Sequence, residues 1–215
     1  MTRAPFDPAR IEAIAFDLLT ALIDSWSLWI GVAGEAALGR AWRTASLRRV
    51  TGAGAYRPYE DILREATAEV GLPPARAEVL LARWDALEPW PEAPVVLRVL
   101  AGRRLAVLTN CSQGLAERAT AITGGDFEVV MSAERAGAYK TDPRAYQAML
   151  SALGLAPERV LFVAGSAHDV PGAGAAGLPV YWSNRARLAV PAGAPPPVID
   201  APDLSALPDL VTAAS

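Results

Sequence analysis

The sequence predicts an α/β fold, a Rossmann-like, doubly wound parallel sheet with a helical cap inserted after the first strand. Three observations predict it. An apolar run through Ile14, Ala15 and Phe16 ends on a single carboxylate, Asp17. Residues 25–92 then show only helical spacing, and from residue 105 onwards short apolar strands alternate with helices. Strands that alternate with helices imply parallel pairing in a sheet covered on both faces.

In chain order, residues 11–24 read as a buried strand and a second apolar stretch leading into Trp26 and Trp29. The acid at the strand end is the first functional clue. A carboxylate in an apolar run is costly to bury unless a cation or hydrogen bonds hold it. The structural alternative is an acid that caps the following turn. The next block carries Trp42, Ala45, Leu47 and Val50, then Ile62, Leu63, Ala66 and Val70, then residues 78–87, all at helical spacing and with no strand-like run. Gly71, Pro73 and Pro74 break it, and Pro89, Pro91 and Pro94 read as a return linker.

Beyond that linker, strands are expected at 105–108, 127–131, 160–163 and 179–182, with helices at 113–122, 143–153 and 168–176. PAGAPPP at 191–197 is a stiff connection, and 203–210 reads as a last short helix. The expected division is a core of residues 1–24 and 93–215, with residues 25–92 as the cap. In open α/β sheets ligands bind at the carboxyl ends of the strands, where Asp17, Thr109, Asn110 and the 165–169 segment fall.

Composition narrows the chemistry. The 215 residues, 52% of them hydrophobic, suffice for a core domain carrying a smaller inserted one. A net charge of -3 with scattered arginines gives no reason to expect nucleic acid. Neither a signal peptide nor a run long enough to span a membrane is read, so a cytoplasmic protein is expected. One histidine, His168, and one cysteine, Cys111, leave zinc sites and Cys–His pairs without ligands. Chemistry therefore falls to carboxylates, Lys, Arg, hydroxyls and amides.

Those types gather at strand ends: Asp17, then Thr109 and Asn110, then Lys140, then Asp169. A nucleophilic carboxylate needs a cation beside it, and a buried lysine needs carboxylates, so Asp17, Lys140 and Asp169 would satisfy one another. The Thr109 hydroxyl and Asn110 amide could hold Asp17 or a bound anion. Singly, each residue has a structural explanation: Asn110 as a helix cap, Lys140 as a solvated charge, Asp169 as a helix-start acid.

The order and spacing resemble the haloacid dehalogenase superfamily, and within it the L-2-haloacid dehalogenases. The likeness covers nearly the whole chain: AFDLLTALID, LAVLTNCSQ, AYKTDPRAY and LFVAGSAHDVPGAGAAGLPVYWSNR stand against its four motifs. It implies a nucleophilic Asp17 that displaces halide from a small 2-haloacid, forming an aspartyl ester that water hydrolyses. It also implies Lys140 holding Asp17 ionised, Asp169 orienting Lys140 and activating water, and Arg43 of the AWR segment meeting the halide. Thr109, Asn110, Tyr146 and Ser166 would line the substrate site.

Phosphatases of this superfamily place a second Asp two residues after the nucleophile; here it is Leu19. That points to metal-independent chemistry with no cofactor, because halide leaves without the proton an alkoxide needs. The family's supporting threonine is absent or displaced by one, this chain reading Leu19, Thr20, Ala21. Its fourth motif has Ala164, Ser166 and His168 where Ser, Asn and Trp are usual. His168 could add a base or simply pack. Two alternatives stay open: a related hydrolase of another small 2-substituted acid, such as azetidine-2-carboxylate, and a catalytically inactive binding protein. Pairing through the cap, common in the family, implies a homodimer.

Overall fold

The computed structural model describes residues 6–212 and has the α/β architecture expected. β1 (Ala13–Phe16) runs into a π-helical turn, Leu18–Leu22, and a two-residue strand, β2 (Ile23–Asp24). Four helices follow: α1 (Ser25–Ala33), α2 (Ala36–Ala53), α3 (Tyr59–Glu69) and α4 (Ala75–Ala82). β3 (Glu88–Pro89) then returns antiparallel to β2. The rest alternates: α5 (Ala93–Val99), β4 (Arg104–Thr109), α6 (Gln113–Thr123), β5 (Val129–Ser132), α7 (Ala133–Ala136), α8 (Pro143–Leu153), β6 (Val160–Ala164), α9 (Asp169–Ala175), β7 (Val180–Ser183), β8 (Ile199–Ala201) and α10 (Leu207–Thr212).

The six-stranded sheet has the order β5-β4-β1-β6-β7-β8, and every neighbouring pair is parallel. β1 lies between β4 and β6, so the chain turns from one side of the sheet to the other across it. Asp17 therefore leaves β1 at the switch point, where two neighbouring strand ends open a crevice. Side chains of β1 alternate between two cores: Ile14 and Phe16 pack on one face, Ala13 and Ala15 on the other. All four are buried, as a central strand of a doubly covered sheet requires.

The structure departs from the sequence expectation at the short pieces. β2 and β3 form a two-stranded ribbon in a region read as strandless, since two residues carry no periodicity. β5 begins at Val129, not 127, because Phe127 turns instead to pack edge-on against Phe16 at 6.4 Å. β8 has three residues beside a proline-rich stretch and was not foreseen, and α10 starts at Leu207 instead of 203.

Candidate active site

Asp17 directly follows β1 and is still tied to the sheet, its N–H donating to the Val163 carbonyl at 2.9 Å. Its side chain caps the Leu18–Leu22 turn. Oδ2 accepts the Thr20 N–H at 2.9 Å, the Thr20 hydroxyl at 2.5 Å and the Ala21 N–H at 3.2 Å. Oδ1 has one partner, the Lys140 ammonium at 2.7 Å. Both carboxylate oxygens are thus held, but unequally.

Lys140 reaches this point because Asn110, just past β4, grips its backbone on both sides. The Asn110 amide donates to the Lys140 carbonyl at 3.0 Å, and the Lys140 N–H donates to Asn110 Oδ1 at 2.7 Å. α8 starts directly afterwards, capped by Asp142 and opened by Pro143, with Ala145, Tyr146, Met149, Leu150 and Leu153 as its buried stripe. The ammonium also donates to Asp169 at 3.2 Å, at the first residue of α9. Gly165 lets the segment after β6 close on this turn, since a Cβ there would lie 2.2 Å from the Ala21 nitrogen.

Burial raises the Asp17 carboxyl, but the Lys140 charge and the hydrogen bonds from Lys140 and Thr20 outweigh it and hold the group below its ordinary value. For Lys140, burial works against the charge, and the facing Asp169 and Asp17 carboxylates win, so its pKa is raised. Asp169 goes the other way. Burial, helped by the Asp17 charge, exceeds the pull of Lys140 and pushes it up to about 6. Two acids on one ammonium are thereby separated, one fixed as an anion and one poised to exchange a proton.

Arg43 enters from α2, on the stripe with Gly39, Trp42, Ser46 and Val50 that this helix buries. A Cβ at Gly39 would lie 2.5 Å from Ile30 Cα, so α1 and α2 cross closely enough to fix that stripe. Arg43 is only 3% exposed. Its Nη2 donates to Ser25 Oγ at 3.4 Å, its guanidinium lies 5.2 Å from the Trp29 ring centre, and its Nε has no partner. No carboxylate among the described residues pairs with it. A buried guanidinium without a counter-ion is set to receive an anion.

Asp17, Lys140, Asp169 and Arg43 all line one cavity of about 30 Å³. Thr109, Asn110 and Ser166 are in its wall as well, with Asn110 already committed to Lys140. Tyr146 is not. It is buried beneath the site against Phe162, its hydroxyl unpartnered. Of the two alternatives for the supporting threonine, absent or displaced by one, the structure shows the second, with Thr20 holding Asp17 Oδ2. Its signal was a hydroxyl three residues after a strand-end acid, the spacing of a side-chain cap.

The residues do not fit a divalent cation. Leu19 lines the cavity, and Lys140 occupies the space between Asp17 and Asp169, the two carboxylates that face each other there among the described residues. Among the described residues no three His, Cys, Asp or Glu side chains are grouped to hold a metal.

An aspartate at the end of the first strand, held by a lysine and backed by a second aspartate at a neighbouring strand end, marks a hydrolase of the haloacid dehalogenase type. The chain belongs to the haloacid dehalogenase-like hydrolase family, whose model matches residues 11–177. It is 32% identical over 195 residues to haloacetate dehalogenase H-2 of Moraxella sp. (strain B), covering 82% of this chain and 87% of that one. It is 33% identical over 189 residues to a phosphoserine phosphatase of Thermus thermophilus, covering 82% and 75%. In structure it matches the L-2-haloacid dehalogenase of Xanthobacter autotrophicus with a TM-score of 0.85 at 24% identity, over 95% of this chain and all of that one. That dehalogenase is also solved with chloropropionic acid covalently bound.

Proposed function

We propose that this protein hydrolyses the carbon–halogen bond of 2-haloalkanoic acids through an ester on Asp17, without a metal. The observation that carries the reading is a single cavity holding a lysine-bound aspartate and, in the same wall, an arginine with no counter-ion. The first needs an electrophile and the second an anion, and a 2-haloacid supplies both. The dehalogenase relatives support the choice of substrate. Residues 25–92 act as the cap that brings Arg43 over the core of residues 1–24 and 93–215, of which 1–5 and 213–215 lie outside the described residues.

The two oxygens of Asp17 take different parts. Oδ1, with one hydrogen bond, attacks C2, and the C–halogen electron pair leaves with the halide towards Arg43. Thr109, Asn110 and Ser166 line the wall for the substrate carboxylate. Oδ2 becomes the carbonyl oxygen of the ester. When water adds to Asp17 Cγ, giving its proton to Asp169, the negative charge on Oδ2 is met by the Thr20 and Ala21 N–H groups and the Thr20 hydroxyl. The Cγ–Oδ1 bond then breaks, Lys140 supplies the proton to the departing oxygen, and a 2-hydroxy acid leaves.

This bookkeeping of atoms is testable. In H₂¹⁸O with enzyme in excess, the first product should carry an unlabelled hydroxyl, and the label should appear in Asp17. Label in the first product's hydroxyl would mean direct attack by water and end the ester reading. Asp17→Asn should release no halide from 2-chloropropionate. A phosphatase, as two of the relatives are, would instead release phosphate from an aryl phosphate only with magnesium; Leu19 leaves no acid to protonate that alkoxide.

A further inference from the structure

Beside the catalytic cavity lies a second space of about 850 Å³, between the outer face of α2 and the segments that follow β6 and β7. Three tryptophans, Trp26, Trp90 and Trp182, line it. Its wall is shared with the catalytic cavity through Thr20, Leu47, Thr51, Ser166 and His168. The two spaces differ in volume by more than an order of magnitude: the catalytic cavity has room for the reacting carbon and its halogen, while the cleft is the size of an ordinary ligand pocket.

Resting on the dehalogenase reading, we propose that this cleft receives an aromatic substituent carried by C2 of the acid, making arylalkyl 2-haloacids the favoured substrates. The charges that line the cleft favour an uncharged occupant. Both arginines of the cleft are already paired, Arg48 with Glu69 and Arg185 with Glu92, and Arg185 lies over the Trp90 ring at 4.2 Å. The Trp90 indole is itself anchored, donating to the Thr20 carbonyl at 3.0 Å, so the aromatic wall is tied to the turn that holds Asp17. Trp182 is almost wholly buried and Arg185 covers the Trp90 ring, so the apolar lining is the edges and faces these indoles leave free together with Trp26, Leu47 and Leu188, which reward a phenyl group above a methyl. A substituent leaving C2 away from Asp17 passes the shared wall and comes to rest among them.

The test compares kcat/KM for 2-bromo-3-phenylpropionate and 2-bromopropionate in wild type and in two variants that fill the cleft from opposite walls, Ala186→Trp and Gly52→Trp. Both positions line the cleft alone, and a Cβ at Gly52 meets open space. The wild type should prefer the phenyl acid by about tenfold or more, the scale expected for burying a ring. Each variant should bring the ratio close to one with turnover of bromopropionate unchanged. A wild-type ratio near one, or variants that lower both acids equally, makes the cleft a solvent route only and overturns the proposal while leaving dehalogenation intact. A second arm needs no turnover: tryptophan fluorescence of Asp17→Asn titrated with 3-phenylpropionate and propionate. Tighter binding of the phenyl acid, lost when Ala186→Trp is added, supports the cleft even if neither bromo acid releases halide, an outcome that would sink the dehalogenase reading alone; equal binding of the two acids overturns the cleft.

Discussion

In the sheet-end half of the cavity Lys140 meets two carboxylates at 2.7 and 3.2 Å, whereas in the helical half Arg43, equally buried, meets none. The contrast separates two uses of a buried charge. Lys140 is shared by Asp17 and Asp169, so its charge is paired without a ligand, with one negative charge left over while both acids are ionised, and the trio can be part of what holds the core together. Arg43 leans on ring faces and one serine hydroxyl, which offset its desolvation incompletely. Its burial makes physical sense if an anion completes it during the reaction, so the folded protein carries an unmet charge where the proposed halide arrives.

Removing each cation in turn should break the symmetry between the halves. Lys140→Met leaves two buried carboxylates facing each other. Urea unfolding at pH 7.5 should show a loss of about 3–5 kcal/mol, the range for an ion pair stripped of one partner, partly recovered at pH 5, where one acid takes up a proton. Turnover should vanish with it. Arg43→Met should behave oppositely. Halide release should fall by about 10²-fold or more, as for loss of a group that meets developing charge, while the unfolding midpoint holds or rises because an unpaired charge has gone. Equal destabilisation by both substitutions would mean that Arg43 is a structural ion like Lys140, and the contrast would collapse.

This contrast also marks what the sequence could reveal. Asp17, Lys140 and Asp169 were legible because each stands beside a regular element: the end of β1, the start of α8, the start of α9. Alternating strands and helices then bring those ends to one edge without any knowledge of side-chain contacts. Arg43 was placed through motif likeness, since helical spacing alone cannot separate an inward arginine from a solvated one. Asn110 lines the cavity and also holds the Lys140 backbone, a contact that spacing does not announce, while Tyr146 lies behind the wall. For Thr20 the sequence left two alternatives, an absent or a displaced threonine, because the choice depends on a single π-helical turn that moves the hydroxyl by one position. The β2–β3 ribbon and β8 escaped for a related reason: pieces of two or three residues leave no periodic trace.

Within the ion-paired half, the two acids can be told apart by pH. Asp169 is raised to about 6 by burial and by the Asp17 charge. Below that value it holds a proton and cannot take one from water, so halide release under single-turnover conditions should persist while ester hydrolysis falls about tenfold per pH unit, as expected for one titrating base. Stability should run against activity here. A carboxyl raised in the folded state binds its proton there more readily than in the unfolded chain, so this group's contribution falls as pH rises from about 4 to 6. Asp17, held below its ordinary value, contributes with the opposite sign, its share being lost as pH falls through the acid range. Asp169→Asn should remove the activity limb near pH 6 and leave the Asp17 response.

The smallest expected effect sharpens the comparison inside Asp17 itself. Oδ2 accepts three hydrogen bonds, two from backbone N–H groups and one from a side chain, the Thr20 hydroxyl. Thr20→Val keeps the shape and deletes that donor. A hydrogen bond to a charged group is worth about 1.5–3 kcal/mol, but the two remaining donors still hold Oδ2, so the lower end applies and activity should drop about tenfold. If Oδ2 is the oxygen that gathers charge as water attacks, the loss falls mainly on hydrolysis and the ester on Asp17 accumulates, visible as a mass increase in the stopped reaction. Thr20→Ser, which restores the hydroxyl, should recover turnover and abolish the adduct. A slower first step with no adduct would reverse the assignment of the two oxygens, making Oδ2 the nucleophile and Oδ1, beside Lys140, the carbonyl oxygen of the ester.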